Sequence, residues 1–395
     1  MTTARAKVVI TGGGTAGHVL PAIALARALV AAGVAPAAIH FVGARRGIER
    51  RLVPEAGFSL TALPGRGIVR RPSLRNLAAL AGIVAAFAAS LVQLGRRRPR
   101  VVVAVGGFGA VACSLAAVVW RVPVVVVNVD SVPGAANRMI GRFATACAVA
   151  FPGTALPRAV VTGAPVRPEV LAVDRTAPGR ARSRAALGIA VEGPLVGVVG
   201  GSLGARRLND AAIGLAGLMR ARGDAVVYHV CGRRSLAEVT AAAAAAGLTD
   251  RPGFEYRIVA YEDRLAELFA AADIVVGRAG ASTVAELAVI GTPSILVPLP
   301  GAPSDHQAKN AAWLCEAGAA VLLADDEATA ERVFQEVTAL LDDPARLGAM
   351  GEAARRVGRR DAARAVASLV VEVAAGRWTK KGAPARGGAG PEEGQ

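Results

Sequence analysis

Four times along the chain an unbroken apolar run meets a glycine turn and then an alanine-rich stretch with helical spacing. The units are KVVITGGGTAGHVLPAIALARAL, VVVAVGGFGAVACSLAAVVW, PLVGVVGGSLGARRLNDAAIGLAGL and DIVVGRAGASTVAELAVIG. Strands covered on both faces read as continuous apolar runs rather than as alternating ones. Strand, turn and helix in regular alternation imply parallel sheets joined by right-handed crossovers. Two units end by Trp120 and two begin at or after Pro194. The stretch VTGAPVRPEVLAVDRTAPGRARSR between them is rich in proline, glycine and arginine and has no sustained period. The expected architecture is α/β, with two Rossmann-like doubly wound parallel-sheet domains facing a cleft. Residues 1–163 form the first domain and 164–345 the second, 346–376 are terminal helices packing back toward the first, and 377–395 are a disordered tail.

Such a cleft lies at the carboxyl ends of both sheets, where ligands bind in these folds. Each glycine turn offers N–H groups at a helix start, with the positive end of the helix dipole behind them, which suits phosphate. The first turn, Gly12 to Gly17, fits G-x-G-x-x-G, a dinucleotide-binding spacing. An NAD site also places an acid at the end of the second strand, and here that position reads Gly43-Ala44-Arg45-Arg46. The arginines leave an NADP reading open, but it gives His18 and the second pair of glycine turns nothing to do. An imidazole in a phosphate-binding turn points instead to a substrate on which a base acts. His40, His229 and His306 fall on strands or helix faces.

A net charge of +16 favours anionic partners. Nine phenylalanines, three tyrosines and three tryptophans, with no basic-aromatic interleaving, argue against single-stranded nucleic acid. Cys113, Cys147, Cys231 and Cys315 are far apart and read as reduced core thiols of a cytosolic protein rather than as a zinc site or disulfide framework. The run from Leu77 to Leu94 is uncharged and followed by GRRRPR, which permits a membrane span, although its alanine content favours a partly buried soluble helix.

The stretch GRAGASTVAELAVIGTPSILVPLPGAPSDHQAKNAAWL is the most specific in the chain. Together with GGGTAGH, VGGFGA, PGAANR, TGAPVRPEV and GGSLGARRLN it resembles the MurG-type peptidoglycan glycosyltransferases of family 28, which have the GT-B fold. The resemblance runs from about residue 7 to residue 375, with the motifs in the same order. It implies inverting transfer of N-acetylglucosamine from UDP-GlcNAc to undecaprenyl-pyrophosphoryl-MurNAc-pentapeptide (lipid I), giving lipid II on the cytoplasmic face of the membrane. It also implies a donor site mostly in the second domain. Ser202 would lie at the turn receiving the UDP diphosphate, with Arg167 as the donor-binding arginine. Ala281, Ser282, Thr283, Val284, Ala285 and Glu286 would border the nucleotide, with Glu286 on the ribose hydroxyls. Gln307 would lie near the sugar, and the loop Tyr261-Glu262 would offer its backbone to the uracil. Gly14, Thr15, Ala16, Gly17 and His18 would face the acceptor diphosphate and the reacting sugar, with His18 as the base.

The chain departs from the family pattern in VNVDSVPG, where HEQN is usual: Asn128 stands at the glutamate position, and Asp130 replaces an amide that contacts the donor sugar. Asp130 keeps an acid near the base. Ala164 stands where the family often has asparagine, and Leu203 where it often has glutamine. These changes leave open a related enzyme acting on another lipid, such as a diacylglycerol, or a weakened paralogue that only binds lipid-linked intermediates. No D-x-D occurs, so the helix starts and Arg167 are expected to meet the leaving-group charge without a metal or another cofactor. Arg66, Arg70, Arg71 and Arg75, interleaved with Ile68, Val69 and Leu74, are expected to dock the chain on an anionic membrane surface.

Overall fold

The computed structural model describes residues 7–45, 47–64, 74–190, 192–201, 205–248 and 252–379. The first domain is a seven-stranded, wholly parallel sheet of β1 (Val8–Gly12), β2 (Ile39–Ala44), β3 (Ser59–Leu63), β4 (Val101–Gly106), β5 (Val124–Asn128), β6 (Ala146–Val149) and β7 (Ala159–Val161), in the order β3-β2-β1-β4-β5-β6-β7. The second is a six-stranded parallel sheet of β8 (Leu195–Val199), β9 (Ala225–Val230), β10 (Phe254–Val259), β11 (Ile274–Gly277), β12 (Ser294–Leu296) and β13 (Ala320–Leu322), in the order β10-β9-β8-β11-β12-β13. Both sheets reverse their strand order beside their first strand, between β1 and β4 and between β8 and β11. That reversal opens a crevice at the carboxyl ends, because the helices on either side lead away to opposite faces. The apolar runs behave as their composition implies: every residue of β4, β5, β8 and β9 is buried.

The stretch after Val161, aperiodic in sequence, holds two short helices, Pro168–Ala172 and Ala177–Ala186. Both begin with proline in their first turn, where a missing N–H costs nothing. Thr176 caps the second, its Oγ1 accepting from Gly179 N at 3.1 Å. Their apolar faces are too short to register as a period. Arg175 and Arg180 fasten the segment to the second domain through the carbonyls of Phe269, Ala270 and Ala271.

The helix Leu74–Arg97 packs along Phe108–Val119, burying Ala86, Ser90 and Leu94 and leaving Val84 and Val92 exposed. Among the described residues no helix is long and apolar enough to cross a membrane. Beyond Asp343, Pro344–Val357 packs on Ala281–Ile290, and Ala362–Ala374 crosses to Ala16–Ala31 in the first domain. Residues from 380 onward lie outside the described residues. Cys113, Cys147 and Cys231 are buried and all four thiols are free.

Leu25 and Leu29 on Ala16–Ala31 are fully buried in one core that also contains Val366 and Val370 of the last helix. Leu25→Ala should lower the free energy of unfolding by about 2–5 kcal/mol, the usual cost of such a truncation in a core that cannot collapse around it. Urea denaturation measures this, and a loss below about 1 kcal/mol would mean a seam loose enough to refill the space.

Candidate active site

Three loops of the first domain converge at the carboxyl end of its sheet. β1 leaves through Gly12 to Gly14 into Ala16–Ala31, β4 ends at Gly106, and β5 ends at Asn128. Gly106 sits at φ +109°, in backbone space that side chains avoid, and a Cβ there would lie 3.0 Å from both Cδ2 and Nε2 of His18. The outer edge of the imidazole therefore rests on the end of β4. At its other edge Nδ1 is 3.1 Å from Thr15 Oγ1. With Nδ1–H donating to that hydroxyl, Nε2 carries the lone pair. Burial pushes the His18 pKa below its ordinary 6.5, and the nearby carboxylates of Asp130 and Glu49 oppose that shift without reversing it. The ring is thus neutral at pH 7 and able to take a proton.

Asn128 is buried and engaged at both ends. Its amide donates to the Asp130 carbonyl at 2.6 Å, and its Oδ1 accepts from Asn137 at 3.0 Å. The Asn137 Oδ1 is buried without a hydrogen-bond partner among the described residues and approaches Gly106 from the side that His18 also faces. Asn310, fully buried on His306–Glu316, ties this loop to the second domain. Its Oδ1 accepts from Ser131 N at 2.9 Å, and its Nδ2 donates to Asp130 Oδ1 and to Ala279 O, each at 3.2 Å.

In the second domain Gly280 begins the helix Ala281–Ile290 with no side-chain cap. Ala281, Ser282 and Thr283 form its open first turn, with the positive end of the dipole behind them. Val284 N bonds back to Gly280 O, and Val284 is fully buried, so it belongs to the helix body, as does Ala285 after it. The Ser282 hydroxyl is buried with no partner among the described residues. Glu286 lies one turn further on and is 5% exposed. Both its oxygens accept from Arg167, whose Nε and a terminal nitrogen each lie 3.1 Å away. Burial works against the charge of this guanidinium, but Glu286 outweighs it and lifts the Arg167 pKa above its ordinary value. Each carboxylate oxygen accepts more than one hydrogen bond, so the fork leaves Glu286 able to receive further donors.

The structure thus brings Arg167 and Glu286 together, and His18 with Gly14, Thr15, Ala16, Gly17 and Asp130. Gln307 shares a helix with Asn310, and its Oε1 accepts from Leu299 N at 3.0 Å. The Glu262 carboxylate is engaged by Tyr228 Oη and by Arg264 N. Ser202 lies outside the described residues. Glu49, Asn137 and Asn310 escape sequence reasoning about the site. The available signals are that Glu49 is the only acid in GARRGIERR and that Asn137 and Asn310 fall within the motifs PGAANR and HQAKNAAWL.

Two parallel-sheet domains thus present glycine turns and helix starts to each other, with an imidazole on one side and an arginine–glutamate fork on the other. This is the architecture of a GT-B glycosyltransferase. Residues 8–149 match the glycosyltransferase family 28 N-terminal domain and residues 195–366 the family's C-terminal domain. The chain belongs to glycosyltransferase family 28, as its motifs imply. It is 39% identical over 371 residues (94% of this chain, 99% of the relative) to a UDP-N-acetylglucosamine–N-acetylmuramyl-(pentapeptide) pyrophosphoryl-undecaprenol N-acetylglucosamine transferase of a Nocardioides species. It is 40% identical to the protein of the same name from Clavibacter sepedonicus, covering 93% of this chain and 96% of that one. The crystal structure of Acinetobacter baumannii MurG superposes with a TM-score of 0.72 at 27% identity, covering 92% and 98% of the two chains. Among the described residues no group of three His, Cys, Asp or Glu side chains is placed to hold a metal ion.

Arg167→Met should strand the Glu286 carboxylate in its buried site and lower stability by about 3–5 kcal/mol. Adding Glu286→Gln to that variant should recover part of the loss, because the uncompensated charge goes with it. Paired denaturation curves of the single and double variants test this, and equal losses in the two would show that the fork does not compensate a buried charge.

Proposed function

We propose that the chain transfers N-acetylglucosamine from UDP-GlcNAc, with inversion, to undecaprenyl-pyrophosphoryl-MurNAc-pentapeptide, making lipid II. The observation that carries the chemistry is an imidazole in the first domain's phosphate-type turn, with the arginine–glutamate fork behind the second domain's open helix start. His18 takes the proton of the attacking sugar hydroxyl at Nε2 while the oxygen bonds the anomeric carbon and the bond to UDP breaks on the opposite face. Asp130, close to the ring, favours the imidazolium as it forms. Thr15, Ala16 and Gly17 offer their N–H groups to the acceptor diphosphate, while Gly14, whose N–H goes to Glu49, turns the loop toward it. Charge developing on the UDP diphosphate meets preorganised N–H groups at Ala281, Ser282 and Thr283, with Arg167 beside them, and Ser202 is assigned to the same diphosphate. Glu286 takes the ribose diol, Gln307 the sugar, and the backbone at Glu262 the uracil.

The same reading places the chain peripherally on the cytoplasmic face of an anionic membrane. Of the docking residues expected from sequence, Arg66, Ile68, Val69, Arg70 and Arg71 lie outside the described residues, as do the side chains of Leu74 and Arg75. Beside the same helix, Val92, Val118, Val119 and Trp120 are 47–61% exposed, and the exposed Arg96, Arg98 and Arg121 flank them. Trp120 is held flat by its Nε1–H donating to Leu91 O at 3.0 Å. Apolar side chains ringed by arginines suit a surface with anionic headgroups above acyl chains.

Incubation with labelled UDP-GlcNAc and a lipid I analogue tests the transfer. Lipid II should form, whereas turnover only on diacylglycerol, or donor binding without turnover, would replace this reading. His18→Ala should lower kcat by about 100-fold or more, the range lost when a general base is removed. The lowered His18 pKa places the acid limb of kcat/KM below pH 6.5, because rate is lost as pH falls through that pKa and the base becomes protonated. A limb above that value would assign the base elsewhere.

Replacing Val118, Val119 and Trp120 by serine should sharply lower cosedimentation with phosphatidylglycerol vesicles and spare turnover on a short-chain acceptor. Unchanged vesicle binding would move the contact to another face.

A further inference from the structure

Glu49 carries no role in the transfer chemistry described so far, yet it is the most completely buried carboxylate near the site, at 1% exposure. It opens the short helix Glu49–Glu55 after β2 and reaches back beneath the first glycine turn. Oε2 accepts from Gly14 N at 2.9 Å and Oε1 from Ala44 N at 2.8 Å, so one side chain joins the exits of β1 and β2. Three glycines keep their backbones bare to admit it. A Cβ on Gly13 would lie 2.3 Å from Glu49 Cδ, one on Gly43 2.7 Å from Cγ, and one on Gly47 1.9 Å from Oε2. Carboxylates are almost never this deeply buried unless strong donors hold them, and charge-assisted N–H bonds are such donors.

We propose that Glu49 is a positioning residue for the transfer: by taking the Gly14 N–H it sets the course of the turn, so that the N–H groups of Thr15, Ala16 and Gly17 face the acceptor and His18 stands against the end of β4. This rests on the His18 base assignment. The phosphate-type spacing in the turn is therefore only partly a phosphate site, because the Gly14 donor points into the protein. The charge also acts on the base. Among the described residues the charged groups acting on His18 are Asp130, from the loop after β5, and Glu49, while Thr15 and Gly106 lie against the ring without charge. Removing one of two carboxylates should lower the imidazole pKa further.

Glu49→Gln keeps the volume but sets an amide N–H2 against one of the two backbone donors, so Gly14 or Ala44 loses its acceptor. It should lower kcat by about 10- to 150-fold, the range set by losing a hydrogen bond to a charged group. UDP-GlcNAc affinity, measured by calorimetry on the full chain, should stay unchanged because the donor is held by the second domain. The acid limb of kcat/KM should move to lower pH, which a purely structural staple would not cause. Should Glu49→Gln fail to fold, Gly47→Ala pushes the carboxylate aside while keeping its charge, and it should lower kcat with donor affinity intact and the acid limb in place. Wild-type kcat in either folded variant, with His18→Gln inactive, overturns the positioning role and leaves the base assignment standing. Near-wild-type turnover in His18→Gln overturns both.

Discussion

Every strand in both sheets runs in the same direction, and most of the functional geometry follows from that. A parallel strand must be reached by a crossover that returns the chain to the same end of the sheet, so all strand exits collect on one side. In the first domain these exits carry the Gly12 turn, the Gly106 bend and the Asn128–Asp130 loop. In the second they carry the Gly280 helix start. Two such sides turned toward each other give a cleft whose walls are both rich in N–H groups. A molecule with phosphate on the donor and on the acceptor requires this. The remaining problem is to hold the walls in register, and buried polar contacts do so across the gap. Asn310 of the second domain reaches both Asp130 and Ser131 of the first.

These contacts show how the chain manages buried charge. A carboxylate out of water costs several kcal/mol unless it is paired or well hydrogen-bonded. Glu286 meets that cost with a bidentate guanidinium and Glu49 with backbone N–H groups. The difference has chemical consequences. Glu286 is neutralised by its partner, which leaves little net field on an incoming diphosphate. Glu49 lies under a turn read as anion-binding, with its oxygens facing inward, toward Gly14 N and Ala44 N. His18 lies where these effects compete: desolvation favours the neutral ring, and the two carboxylates restore part of its basicity.

The repeated strand, glycine turn and helix units made both sheets legible in the sequence, because continuous valine-rich runs have few other homes. The family motifs pointed to the loops that carry His18, Arg167 and Glu286, and the first of these lies at the carboxyl end of the first sheet. Short range was the limit. The helices Pro168–Ala172 and Ala177–Ala186 escaped notice because neither is long enough to display a face, and their start signals are prolines that also mark turns. Glu49 escaped because its significance lies in Gly14, 35 residues away, and in three glycines whose need for bareness appears only once they surround it. Glu286 was expected on the ribose hydroxyls, and its pairing with Arg167, 119 residues away, is a contact that no local pattern encodes.

The change from the family's glutamate to Asn128 makes sense against this background. At 2% exposure Asn128 uses its amide as a donor to the Asp130 carbonyl and its oxygen as an acceptor from Asn137, a two-sided role that a carboxylate cannot fill. A glutamate there would turn an acceptor toward the Asp130 carbonyl and add a third buried acid to a pocket holding a single imidazole. Asp130 is better placed to carry the acid. It is only partly buried and receives an N–H from Asn310, and it lies close enough to raise the His18 pKa. The acid that lies near the imidazole is therefore Asp130, at a position that borders both domains. Because Asn310 holds that carboxylate from the donor side, the electrostatic environment of the base depends on the second domain being in place.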